Sequence, residues 1–229
     1  MPSTLDPRRL ATLATLVALF VALAVLMVAG AFTRLDQWSI DHLMASVDTS
    51  GDAYNAFTWS QFLPFGASAP LWSKVLAAIT FPASAVGSGA VVLGCEIVLA
   101  RRGLRHDGAA LFGVWVVANV VEYTTKHELT RQALYATNDA GERIRVASFD
   151  NAFPSGHALR ALLVAAALGI VWRRGARAVF VWAAVVPPFL VAIGAHTISD
   201  VVGGVVLGAA FIVASSLVLH EPLRLRSTR

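Results

Sequence analysis

Residues 154–173 read PSGHALRALLVAAALGIVWR. A polar opening, Pro154-Ser155-Gly156-His157, runs into a stretch that is apolar on every side except at Arg160. Apolar residues spread round all faces, rather than along one stripe, mark a helix with no water to face. Serine just before the run is a helix-start signal, because its oxygen caps the free amides of the first turn. The stretch is about as long as the ~20 residues a bilayer crossing needs. It reads as a membrane helix with a polar site at its mouth.

Five further stretches share this character. The expected spans are 10–32, 73–100, 108–127, 156–173, 176–195 and 199–219. The chain of 229 residues is 57% hydrophobic and 14% charged, where a soluble domain has roughly 45–50% and about 25%. Such a composition excludes a disordered chain and leaves too few charges to coat a water-soluble globule. The expected fold is all-α: one integral-membrane domain over 1–229 with six transmembrane helices. Gly203-Gly204 and Gly208-Ala209-Ala210 supply the small residues that let membrane helices approach closely. Those faces fit internal packing or a homo-oligomer equally well. Pro82 and Pro187-Pro188 are expected to kink the second and fifth spans.

Four basic clusters set the topology. They are Arg8-Arg9, Arg101-Arg102-Arg105, Arg173-Arg174-Arg177 and Arg224-Arg226-Arg229, and they hold 11 of the 18 basic residues. With six spans all four fall on one side, the cytoplasmic one by the positive-inside rule. The opposite loop 33–72 carries Asp36, Asp41, Asp48 and Asp52 against Arg34. The net charge of +4 is thus a topology signal rather than a nucleic-acid patch. Arg8-Arg9 and Ala29-Gly30-Ala31 loosely resemble a secretory signal. The apolar run between them exceeds the usual ~7–15 residues, which favours an uncleaved first span. Cys95, the single cysteine, lies in an apolar run and reads as a small buried residue. In the outer loop, Leu35–Val47 reads as an amphipathic helix with Trp38, Ile40, Leu43 and Met44 in the interface. Trp59, Phe62, Phe65 and Trp72 read as interfacial aromatics.

Ionisable groups at membrane spans are costly and default to function. Three groups of them fall at the outer ends. The third span ends in Glu122, Lys126 and Arg131; the fourth opens on Ser155, Gly156 and His157, with Arg160 one turn inside; the fifth and sixth are joined through His196 and Asp200. A helix start beside a glycine binds phosphate through its free amides, and His157 there is placed to act as a general acid. His196 and Asp200 are four apart, so on a helix the carboxylate can orient the imidazole. Lys126 and Arg131 can hold a phosphate dianion or snorkel to the interface. Glu122 lies one turn before Lys126 and can pair with it. Arg160, just below the surface, needs a partner, substrate phosphate among the candidates. Two histidines and a carboxylate can also bind a metal, but the cations nearby disfavour one; no metal or cofactor is expected.

Together these residues resemble the type 2 phosphatidic acid phosphatase (PAP2) superfamily of membrane lipid phosphate phosphatases. Pro154–His157 matches one family signature in full, and His196–Asp200 matches the end of another. Two positions depart from the pattern. The family arginine seven residues after the lysine is Ala133, followed by Leu134, and the Ser-Arg pair of the last signature is Phe189-Leu190. Arg131 and Arg160 are expected to replace the missing arginines, with Arg143 and Arg145 as further candidates. The resemblance implies a metal-independent transfer in which His196 attacks phosphorus, Asp200 orients it and His157 protonates the leaving group. Lys126, Ser155 and the amides of Gly156 and His157 would hold the phosphoryl oxygens. The expected substrate is a membrane lipid phosphate or pyrophosphate, polyprenyl or glycerolipid, met at the outer face of a bacterial inner membrane. A phosphotransferase using an alcohol or lipid acceptor, and a non-enzymatic lipid-binding protein, are the alternatives.

Overall fold

The computed structural model describes residues 6–45, 47, 75, 78–138 and 140–219. Its helices are α1 (Pro7–Val28), α2 (Thr33–His42), α3 (Ala85–Arg101), α4 (Arg105–Glu128), α5 (Gly156–Val171), α6 (Ala176–Ala192) and α7 (Ile198–Val218). A small antiparallel hairpin, β1 (Tyr135–Thr137) and β2 (Arg143–Arg145), interrupts the helical order between α4 and α5. Among the described residues the regular structure is therefore helical except for this hairpin, which lies in a polar stretch without helical periodicity. Trp59, Phe62, Phe65, Trp72 and the last arginine cluster lie outside the described residues.

Among the described residues, four helical segments are long and apolar enough to cross a bilayer: Pro7–Val28, Arg105–Glu128, Arg173–Ala192 and Ile198–Val218. Their apolar character makes this an integral membrane protein. The other two expected spans are shorter. α5 has 16 residues and α3 has 17, or roughly 25 Å of helix at 1.5 Å per residue. Pro82 is the reason the second stops short. It sits in a 3-10 turn, Phe81–Ala83, and α3 starts afresh beyond it with Ser84 as N-cap, whose oxygen accepts from the Gly87 amide. Pro187-Pro188, by contrast, lies within α6, which is helical on both sides of it.

α5 is the centre of the bundle. Ten of its residues are buried, most of them alanine, leucine or valine, and α3, α4, α6 and α7 all pack on it. Alanine keeps the interhelical distance small, and each neighbour covers one side of an all-apolar surface. α1 packs along α7 and leaves Val17, Val21 and Val25 exposed, as expected of a face turned to lipid. The basic ends cluster: Arg9 donates to the Ser216 carbonyl at 2.7 Å and Arg102 to the Val171 carbonyl at 3.2 Å. The opposite end of the bundle collects the starts of α5 and α7 and the end of α4.

Two glycines let that opposite end close. The amide of Ser155 donates to the Asp200 carbonyl at 2.8 Å, joining the first turns of α5 and α7. A Cβ at Gly204 would overlap the Ser155 carbonyl, and one at Gly203 would overlap the Phe153 ring. Any side chain there would push the two helix starts apart.

Candidate active site

His157 and His196 face each other at this junction, ring centroids 6.4 Å apart. His157 stands in the first turn of α5, behind Ser155, whose hydroxyl oxygen caps the helix by accepting from the Ala158 amide at 3.3 Å. Ser155 is wholly buried, so its hydroxyl serves the helix start. His196 sits in the tight link between α6 and α7. Its Nδ1 lies 3.7 Å from Asp200 Oδ2, an ion-pair distance rather than a hydrogen bond. That leaves Nε2 as the nitrogen away from Asp200. Burial pushes the His196 imidazole below its ordinary value; Asp200 opposes this, and Lys126 adds to it. At neutral pH the ring is therefore uncharged, as a nucleophile requires.

Asp200 is held on every side. Its Oδ2 accepts from the Thr197 amide at 3.0 Å, completing a capping box at the start of α7. Its Oδ1 accepts from Arg131 Nη1 at 3.0 Å. Arg131 was expected at a phosphate; the structure places it here instead. Its other nitrogen donates to Asp36 and to Ser199 Oγ, and Nη1 also reaches Thr197 Oγ1 at 2.9 Å. With its donors directed at two carboxylates and two hydroxyls, the buried guanidinium is a structural hub and has little left for substrate.

Asp36 is the residue the sequence reading missed. In the outer loop it counted only as one of several acids. Here it is fully buried on the inward face of α2 with Ser39 and Ile40, while Trp38 and Leu43 remain exposed. Its oxygens accept from the Ser199 amide at 3.0 Å, from Ser199 Oγ at 2.7 Å and from Arg131. Burial holds the Asp36 carboxyl above its ordinary value, and Arg131 and Ser199 offset this only in part. A carboxyl met only by donors is bound as the carboxylate.

The second cluster lies on the α4 side. Glu122 takes Lys126 at 2.7 Å and Arg160 at 3.5 Å. Arg160 also donates to the Asn119 side chain and to the Ala83 carbonyl, both at 3.0 Å. A Cβ on Gly156 would collide with Arg160 and Glu122, so the α5 mouth rests directly on this pair. Lys126 keeps about a quarter of its side chain exposed. Lys126, Gly156, His157, Arg160, His196 and Asp200 are thus brought together. Arg143 and Arg145 are not: both are exposed on the hairpin, paired with Asp41 and Asp150. Leu190, at a family arginine position, is core.

Residues 114–223 match the family model of the PAP2 superfamily, and both histidine motifs fall inside the match. The matched stretch is similar to the PAP2 superfamily and spans a little under half of the chain. In fold the chain is similar to the crystal structure of a transmembrane PAP2-type phosphatidylglycerolphosphate phosphatase from Bacillus subtilis, with a TM-score of 0.61. The two are 16% identical over 89% of this chain and 94% of that one. No curated protein matches the sequence.

Proposed function

We propose that the protein is a metal-independent lipid phosphate phosphatase working through a phosphohistidine. The observation that carries this reading is the facing pair His157 and His196 with Asp200 behind the second ring. His196 Nε2 attacks phosphorus, and the bond from phosphorus to the leaving oxygen breaks. His157 gives its proton to that oxygen. A water then attacks the phosphohistidine, the N–P bond breaks, phosphate leaves, and His157 takes the proton the water loses. Lys126, Arg160 and the amides of Gly156 and His157 supply positive potential for the phosphoryl oxygens. The substrate is a polyprenyl or glycerolipid phosphate or pyrophosphate. By the positive-inside rule the site faces away from the cytoplasm, with the two short helices completing six passages through a bacterial inner membrane.

One observation favours a second reading, transfer to an alcohol or lipid acceptor. Lys126 and Arg160 share Glu122, which suits a singly charged phosphodiester donor better than a dianion. The test is phosphate release in detergent with EDTA from polyprenyl pyrophosphate, polyprenyl phosphate, phosphatidic acid and phosphatidylglycerol phosphate. Release that survives EDTA and falls at least about a thousandfold in His196→Ala supports the phosphatase. A phosphorylated acceptor without free phosphate would move the assignment to the transferase.

A further inference from the structure

Arg131 poses a problem for any chemistry at His196. Asp200 stabilises the imidazolium character that His196 gains when it bonds to phosphorus, as a carboxylate does behind any nucleophile-orienting imidazole. A guanidinium 3.0 Å from the same carboxylate offsets part of that effect, because its positive charge opposes the carboxylate's at the ring. The cluster does not end there. Arg131 is equally engaged by Asp36, which comes from α2 at the other end of the sequence and is wholly buried. One cation between two carboxylates leaves one negative charge.

We propose that Asp36 is a positioning residue for the His196–Asp200 pair: through Arg131 and Ser199 it fixes Asp200 and restores the negative charge that Arg131 removes. Geometry gives it both roles. Asp36 grips the first turn of α7 directly, through the amide and hydroxyl of Ser199, next in sequence to Asp200. It also holds Arg131 by the other terminal nitrogen, Nη2, which helps to fix the guanidinium with Nη1 toward Asp200 Oδ1 and Thr197 Oγ1. Ser199 Oγ accepts from Arg131 and donates to Asp36, closing the ring of contacts. The chain His196–Asp200–Arg131–Asp36 therefore links the outer helix α2 to the His196 ring at Nδ1. This role rests on the histidine chemistry proposed above.

The charge on His196 reports the network. The charged and titratable groups around the ring are Asp200 on α7, Lys126 and Glu122 on α4, and His157 on α5. Around Asp36 they are Arg131 and Asp200; the neighbouring Asp41–Arg143 pair is exposed. The experiment is an NMR titration of the full chain in detergent with labelled histidine, the His196 signal being assigned by its loss in His196→Gln. In Asp36→Asn the cluster becomes neutral, and the His196 midpoint falls by about one unit. In Asp36→Asn/Arg131→Gln one negative charge is again left on Asp200, and the midpoint returns to the wild-type value. An Asp36 that only braces α2 would leave the first midpoint unmoved and let the second rise, which overturns the proposal. The double variant decides the matter alone if the single one does not fold, since it leaves no half-paired arginine. Turnover gives the parallel readout: kcat of Asp36→Asn falls about tenfold with KM unchanged. The titration needs no turnover. A wild-type protein inert on every lipid phosphate would overturn the phosphatase reading while the midpoints still decide the role of Asp36.

Discussion

Glu122 and Arg131 occupy mirror-image settings. Glu122 is an anion between two cations, Lys126 and Arg160; Arg131 is a cation between two anions, Asp36 and Asp200. The first triad keeps one positive charge and lies under the mouth of α5. The second keeps one negative charge and lies behind His196. A phosphoryl group between the two histidines would thus meet a positive floor, while the nucleophile is backed by a negative wall. The triads also differ in access. Lys126 is partly exposed, whereas Arg131, Asp36 and Asp200 are sealed. The first is built to exchange partners and the second to keep them.

The sharpest way to break this contrast is to remove the central cation. Arg131→Gln leaves two carboxylates unpaired in the interior and is expected to cost about 3–5 kcal/mol, read as thermal unfolding in detergent. Lys126→Gln, from the exchangeable triad, should cost less than about 1 kcal/mol and show itself as a higher KM. Equal losses from the two would erase the distinction. Next in size is Gly204→Ala, which forces the starts of α5 and α7 apart. About 1–3 kcal/mol of overpacking is expected, with kcat reduced because both triads hang on that junction. Smaller again is Glu122→Gln. It removes the counter-charge that both cations share, and inhibition by inorganic phosphate should tighten several-fold; unchanged inhibition would mean that Glu122 does not restrain them. The smallest effect is in pH. Because burial holds the His196 imidazole low, the neutral nucleophile persists into mild acid, and kcat/KM should fall only below the ordinary histidine value near ~6.5. A fall already complete above that value would contradict a buried neutral ring.

Hydropathy made the helical membrane fold readable, because burial on all sides leaves an unmistakable composition. It placed the ends of 108–127 and 199–219 within a few residues of α4 and α7. It overran at 73–100, where Pro82 starts a separate turn that an apolar average cannot register. That the histidines, Asp200 and Lys126 meet at one end of the bundle was legible for a local reason: each stands in a short motif beside a helix end. Arg131 was visible as a residue but not in its role, since nothing near it in sequence reveals two distant carboxylates. Asp36 was hidden by its surroundings. An acid in the first turn of an exposed amphipathic helix reads as a dipole partner facing water. The one available signal was Ser39, three residues on, which puts a second polar group on the same face as Asp36 and Ile40. Arg143 and Arg145 failed the other way: sequence proximity to the motifs suggested the site, and the β1–β2 pairing carried them to the surface.

The two carboxylates that hold Arg131 lie on either side of it in the chain, Asp36 95 residues earlier and Asp200 69 residues later. Synthesis therefore delivers them in order. When Arg131 emerges, Asp36 has already been made, so the earlier of its two counter-charges is available first. At roughly 5–20 residues per second, Asp200 follows only after several seconds. The net negative charge of this triad is therefore complete only once Asp200, in the first turn of α7, has been made.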